Sequence, residues 1–322
     1  MAIFEANEEN ILKAAGLINQ GELVSFATET VYGLGADALN PEACEKIFKA
    51  KERPHYDPLI VHISSIEQLN TVARDVPDAV REKLELFWPG PLTAVLKKQP
   101  CVPDSITANL DTVAVRVPKH PIALALLKAA KTPIAAPSAN PFGYLSPTSA
   151  EHVNRQLGSK VKMILDGGDC DCGVESTIID FTKKTPEILR HGGYSKEDVE
   201  KICGPVIPGQ AVLEQPLAPG QLASHYSPET RLVILSKDQK PDHNLNFGIL
   251  THSHLSDDIE CEYIERISPE GNAKEAAHNL FAALHRLDQQ KLDVIYAYEF
   301  PEEGLGAAIM DRLRKAAVKM KK

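Results

Sequence analysis

The sequence predicts an α/β protein in two units, on three observations. Short apolar runs alternate with amphipathic stretches along most of the chain, the pattern of strands interleaved with helices. After Cys203 comes GPVIPGQAVLEQPLAPGQLASHYSPET, crowded with proline and glycine and suited to neither a helix nor a central strand. The alternation then resumes past Thr230. A length of 322 residues, at roughly 150 per domain, agrees with two units. The predicted organisation is a first unit over 1–205, a linker over 206–229 and a smaller α/β unit over 230–322.

The elements follow in order. Asn7 can cap a helix reaching Gln20, where Gly21 stops it. A strand is predicted at 23–27 (LVSFA). Asn40 and Pro41, cap and first-turn proline, open a helix to about Lys51. LIVHI (59–63) is a strand, 77–87 a helix, and LTAVL (92–96) and VAVRV (113–117) are strands. A helix over 121–130 leads into a short strand at 134–136. Thr148 is expected to cap the next helix. MILD, STIID and EILR read as three further strands. In the second unit RLVIL, FGIL and DVIYAYEF read as strands, 272–290 as a long helix and 305–320 as the closing helix. Arg312, Arg314, Lys315, Lys319, Lys321 and Lys322 at that end read as a solvated basic helix terminus.

Composition narrows the function classes. Hydrophobic residues make up 43% and charged residues 25%, enough apolar material for a core without metal or disulfide staples. With 35 Lys and Arg against 44 Asp and Glu the formal charge is −9, which argues against general nucleic-acid binding. The six cysteines show no paired zinc spacing and read as reduced thiols of a cytosolic protein. The opening MAIFEANEEN lacks a basic, then apolar, leader pattern, so no secretory signal is expected. No apolar run is long enough to predict a membrane span.

Standard nucleotide and hydrolase motifs are absent. There is no G-x-x-x-x-G-K-[ST], no complete G-x-G-x-x-G, no G-x-S-x-G and no H-E-x-x-H. Polar clusters instead sit at the ends of predicted strands, where open α/β sheets place ligands. TETVYGLG follows the first strand and offers hydroxyls and close backbone approach, or simply a tight turn. Lys51 and Arg53 can hold adjacent phosphate oxygens, or stabilise a helix C-terminus. His62 stands in an apolar strand, where a satisfied core histidine is the commoner outcome. Ala136-Pro-Ser138-Ala-Asn140 forms a stiff polar turn. Arg116 lies on the same strand face as Thr112 and needs an anionic partner, either a structural carboxylate or a substrate's. Glu175-Ser176-Thr177 and Leu189-Arg190-His-Gly-Gly complete the series.

Taken in order, TETVYGLG, KERPHYDPLIVHI, FWPGPLT, TVAVRVP, APSANPFGYLSPTSAEHV, GVESTIIDF and ILRHGG resemble the YrdC-type domain. PGQLASHYSP and GLGAAIMDRLRKAA resemble the long threonylcarbamoyl-AMP synthases, so the resemblance covers essentially the whole chain. It implies a YrdC-type twisted mixed sheet with helices, followed by a smaller Rossmann-like α/β domain. It implies a nucleotidyltransferase that turns L-threonine, bicarbonate or CO2, and ATP into threonylcarbamoyl-AMP and pyrophosphate. Mg2+ would be carried mainly by the ATP phosphates without dedicated protein ligands. The product would serve tRNA threonylcarbamoyladenosine formation through a separate transfer machinery, with direct tRNA binding weak or absent.

The resemblance carries threonine contacts to Thr30, His62, Arg116, Ala136 and Ser176. It carries ATP contacts to Arg53, Asp57, Thr112, Ser138, Ser146, Arg190 and Tyr226, and a catalytic tetrad to Lys51, Arg53, Ser138 and Asn140. Two positions depart from the family pattern: Asp57 replaces the usual asparagine, and Ala27 the usual proline. Tyr226 makes the linker a candidate lid over the nucleotide, against the alternative of a passive tether. Two rivals remain. A non-catalytic YrdC-like RNA-binding module is disfavoured by the acidic charge. A carbamoyl-transferring maturation enzyme would carry paired C-x-x-C spacings that this chain lacks.

Overall fold

The computed structural model describes residues 3–209, 216–252 and 259–318. Part of the linker (210–215) and the last four residues of the sequence, Lys319, Lys321 and Lys322 among them, lie outside the described residues.

The first unit runs β1 (Ile3–Glu5), α1 (Glu8–Asn19), β2 (Val24–Phe26), β3 (Gly33–Asp37), α2 (Pro41–Lys51), β4 (Ile60–His62), α3 (Asp78–Phe87), β5 (Leu92–Lys97) and β6 (Thr112–Arg116). It continues through α4 (Pro121–Ala130), β7 (Ile134–Ala135), α5 (Ala150–Leu157), β8 (Met163–Asp166), β9 (Thr177–Asp180), β10 (Glu187–Arg190), α6 (Lys196–Cys203) and β11 (Ile207–Pro208). The strands form one mixed sheet in the order β1-β8-β2-β3-β7-β4-β6-β5-β9-β10-β11. β4 runs parallel to β6, whereas β3, β7 and β5 run antiparallel to neighbours.

The helix starts follow their caps. Asn7 accepts from Asn10 N, and Asn40 accepts from Glu42 and Ala43 N ahead of Pro41. The cap of α5 is Ser149, not the expected Thr148. Ser149 Oγ accepts from His152 N at 3.3 Å, while the Thr148 hydroxyl faces the His152 ring. The glycines of TETVYGLG belong to β3 rather than to a turn. A Cβ on Gly35 would stand 2.8 Å from the Phe26 ring and 2.9 Å from Ile134, so close packing explains it.

The second unit consists of β12 (Arg231–Leu235), β13 (Phe247–Thr251), β14 (Tyr263–Arg266), α7 (Ala273–Asp288), β15 (Val294–Tyr298) and α8 (Gly306–Ala317). Its sheet is parallel throughout, in the order β12-β15-β13-β14. The crossover helices bury Leu280, Phe281, Leu284, Ile309 and Leu313 against it.

The two units share an apolar core. Val31, Leu145 and Val174 of the first and Tyr226 of the linker pack in one cluster with Phe281, Leu284 and Leu313. Each such side chain contributes about 1.5–3 kcal/mol when fully buried. Gly173, at φ +70°, lies directly under α7, and a Cβ there would come within 2.3 Å of His278 O. Arg312 contradicts the reading of a solvated helix end: it is 1% exposed, because that face of α8 turns onto the first unit. Arg314 does keep to the surface, paired with Glu302.

Candidate active site

A cavity opens on one face of the large sheet, with linker residues among its lining. Strand geometry assembles it. β4 and β6 are parallel and in register, with His62 opposite Arg116, so both side chains stand on the same face of the sheet. β9 and β10 run antiparallel, so Ser176 before β9 and Arg190 at the end of β10 meet there as well. The turn after β2 supplies Thr30, and the turn after β7 supplies Ala136 and Ser138.

Nine of the expected positions line this cavity: Thr30, His62, Arg116, Ala136, Ser176, Arg53, Ser138, Arg190 and Tyr226. Five do not: Lys51, Asn140, Asp57, Ser146 and Thr112. Lys51 is fully buried behind it and donates from Nζ to Ser138 O at 2.6 Å and Asn140 O at 2.5 Å. It thereby pins the turn that presents Ser138, and burial drives its pKa well below the usual lysine value. Asn140 donates to Pro141 O and Tyr144 O and stiffens the same turn. Thr112 pairs with Lys97 at the opposite end of β6 from Arg116.

The arginines are fixed in place. Arg53 donates to Asp57 O at 3.0 Å and Pro58 O at 2.7 Å, and its Nη2 lies 2.9 Å from Asp57 Oδ2. Asp57 therefore stands as the countercharge of Arg53, which accounts for a carboxylate so near the cavity. Burial raises the Asp57 pKa against the opposing pull of Arg53. Arg190 donates to Ser176 O and Ser176 Oγ, each at 3.1 Å, and to Pro219 O at 3.3 Å. Arg116 donates to Thr30 Oγ1 at 2.8 Å and to Gly90 O at 3.2 Å.

Sequence reasoning missed the structural partner of Arg116. Glu29 Oε1 lies 2.6 Å from Arg116 Nη2, too oblique for a directed hydrogen bond but close as an ion pair. Burial raises the Glu29 pKa, yet Arg116 outweighs it and leaves the carboxyl below its ordinary value. A charged residue between Thr28 and Thr30, in a segment bounded by apolar residues, was the available signal. Glu175 was noted only as part of a cluster. Its Oε1 accepts from Ser146 Oγ at 2.5 Å and its Oε2 from Arg312 Nε at 2.8 Å.

His62 is neutral, with burial first and Arg116 second pushing its pKa down to about 3. Its Nδ1 finds no hydrogen-bond partner among the described residues, and neither does Tyr226 Oη. Unpaired buried polar atoms are costly, and both residues border the cavity, so both suit contact with a ligand. The linker contributes Pro219, Gly220, His225 and Tyr226 to the lining. The last two rings pack at a tilt of 53°, with their centres 4.1 Å apart.

The comparisons with known proteins agree with this arrangement. Residues 16–192 match the Sua5, YciO and YrdC family described as telomere recombination. Residues 194–318 match the family described as threonylcarbamoyl-AMP synthase, C-terminal domain. The threonylcarbamoyl-AMP synthase of Pyrococcus abyssi is 43% identical over 96% of this chain and 94% of its own. That of Bacillus subtilis is 40% identical over 97% of this chain and 94% of its own. This chain belongs to the threonylcarbamoyl-AMP synthase family. The crystal structure of P. abyssi Sua5 complexed with L-threonine matches with a TM-score of 0.90 and 41% identity, covering 98% of this chain and 96% of that one. As a member of the synthase family the chain is an enzyme of the nucleotidyltransferase type. An RNA-binding module without chemistry is not favoured. Among the described residues no helix is long and apolar enough to cross a membrane.

Proposed function

We propose that the chain joins L-threonine, CO2 (from bicarbonate) and ATP into threonylcarbamoyl-AMP and pyrophosphate. The observation that carries this reading is the convergence of Arg116, Arg53 and Arg190, distant in sequence, on one cavity. Arg116 with Thr30, His62, Ala136 and Ser176 suits an amino acid with a carboxylate. Arg53, Arg190, Ser138 and Tyr226 suit a nucleotide, with Ser146, Thr112 and Asp57 acting from outside the lining.

The chemistry asks mainly for positioning and charge. Arg116 takes the threonine carboxylate. The unprotonated threonine amine adds to CO2 and gives a carbamate after losing a proton. A carbamate oxygen then attacks the α-phosphorus, the bond to the bridging oxygen breaks, and pyrophosphate leaves with both electrons. Arg53 and Arg190 face the charge that develops on it. Neutral His62 accepts a hydrogen bond from the amino acid instead of repelling its ammonium group. Lys51 and Asn140 act by holding Ser138.

The donor set fits Mg2+ carried by the nucleotide. The carboxylates beside the cavity, Glu29, Asp57 and Glu175, are each committed to an arginine. Mg2+ carried by the nucleotide would supply charge neutralisation there. Carbamates and acyl-adenylates hydrolyse readily, and the linker, with Tyr226 over the cavity, serves as the lid that excludes water. Cavity arginines that are 6% exposed or less suit an enclosed ligand rather than an RNA surface. The product passes to a separate tRNA-modifying transfer machinery. Six unpaired thiols support a cytosolic setting. The test is pyrophosphate release with ATP and bicarbonate, with and without threonine. Release that does not depend on threonine, or no release at all, overturns the reading.

A further inference from the structure

We infer that Arg312, on the last helix of the C-terminal domain, is a positioning residue for the nucleotide half of the active site. The inference rests on the proposed function for the identity of the nucleotide.

Arg312 has the largest side chain among the fully buried residues. Its contacts reach three separate walls of the site. Nε donates to Glu175 Oε2 at 2.8 Å, and the other oxygen of that carboxylate holds Ser146 Oγ. Nη2 donates to His191 O at 2.9 Å, fixing the backbone next to Arg190. The guanidinium lies 4.9 Å from the centre of the Tyr226 ring, within cation–π range. Asp311 pairs with Nη1 at 2.6 Å and so keeps the cation neutralised from its own helix.

The same helix holds the linker at a second point. Lys315 Nζ donates to Gly220 O at 2.6 Å, and His225 N donates to Lys315 O at 3.3 Å. A planar fork is needed to engage a carboxylate, a carbonyl and an aromatic face together, and a lysine point charge cannot reproduce it. Without Arg312, the Glu175 carboxylate would remain buried with only Arg190 and the Ser146 hydroxyl to offset it. Ser146 would then lose its fixed orientation, and Tyr226 the surface beneath it. The last helix of the C-terminal domain thus completes the nucleotide side from behind, while Arg116 and Thr30 on the threonine side make no contact with Arg312.

The test measures ATP and threonine affinity separately by calorimetry on the full-length chain, with turnover measured in parallel. Arg312→Lys is expected to weaken ATP binding about tenfold, the loss of one charge-assisted hydrogen bond. Threonine affinity is expected to stay within about twofold. The wasted ATP per product should rise. Unchanged ATP affinity overturns the inference. So does an equal loss of both affinities, which would mark a merely structural arginine. Should Arg312→Lys not fold, Glu175→Gln carries the same expectation, because Arg312 keeps Asp311 as its countercharge. Affinity is read without turnover, so an inactive wild-type chain would defeat the proposed reaction while still deciding this point.

Discussion

Arg116 Nη2 and Glu29 Oε1 stand 2.6 Å apart in a pair whose side chains are at most 5% exposed. The site thus holds a carboxylate of its own against the guanidinium that suits the substrate carboxylate. Glu29→Gln leaves Arg116 as an uncompensated buried charge, which costs about 3 kcal/mol of stability. Threonine then supplies the missing anion, so it should stabilise the variant more than the wild type. Urea unfolding with and without threonine checks this. Equal threonine stabilisation of both proteins would show that the two carboxylates do not share one arginine.

Arg116→Ala removes the proposed partner of the threonine carboxylate. A charge-assisted, two-pronged contact accounts for roughly a hundredfold in affinity, so threonine binding should fall by about that factor. ATP affinity should change little, since Arg53 and Arg190 keep their own partners. Calorimetric titration of each ligand decides it, and an unaltered threonine constant contradicts the assignment of Arg116.

Asp57 neutralises Arg53 across 2.9 Å inside the protein. Asp57→Asn keeps the shape and removes the negative charge. The full charge of Arg53 then acts on the triphosphate, and KM for ATP should fall by a few fold. Stability should drop by about 1–3 kcal/mol, because a buried cation loses its partner. A higher KM for ATP would mean that Asp57 touches the nucleotide directly.

The sequence made the regular elements legible where apolar residues recur at strand or helix period, as in LIVHI, VAVRV and the long helix of 273–288. It hid β3, whose GLGAD has no β-branched residue, and β14, whose YIER is half charged. Candidate site residues were visible one at a time, as polar groups at strand ends. Their convergence was not, because it depends on which strands become neighbours in the sheet. The carboxylate partners were the least visible part. Glu29, Glu175 and Arg312 are paired across long stretches of chain, and no local pattern distinguishes a committed carboxylate from a solvated one. Arg312 shows the same limit in reverse, since residue type cannot say which face of α8 meets the first unit.

His152 of α5 and His285 of α7 stack at 4.0 Å where the two units meet. Burial pushes their pKa values down, to about 3 for His152 and about 4 for His285. His285 Nε2 also lies 3.1 Å from Ser146 O, on the nucleotide side. Both histidines are neutral in the folded state and ionise near pH 6.5 when unfolded. The unfolded chain therefore binds more protons below that pH. Their contribution is complete above about pH 6.5 and is lost as the pH falls toward 4, by about 1–2 kcal/mol per pH unit for the pair. Urea midpoints at pH 7.5 and 5.0 should differ accordingly, and His152→Phe with His285→Phe should narrow the difference. An unchanged pH dependence in the double variant would assign the acid lability elsewhere, His62 first.

Tyr226 is buried over the cavity at φ +61°, held by His225, Phe281 and Arg312. Non-glycine residues rarely adopt that backbone, and its hydroxyl has no hydrogen-bond partner among the described residues. Both features make sense if the ring's place over the nucleotide matters more than its local comfort. Tyr226→Ala should therefore admit water: ATP consumption should persist or rise while threonylcarbamoyl-AMP per ATP falls several fold. Tyr226→Phe keeps the ring and should recover most of the coupling, unless the hydroxyl itself meets a phosphate. Quantifying adenylate product and released pyrophosphate in one reaction separates these outcomes. Normal coupling in Tyr226→Ala would reduce the linker to a tether.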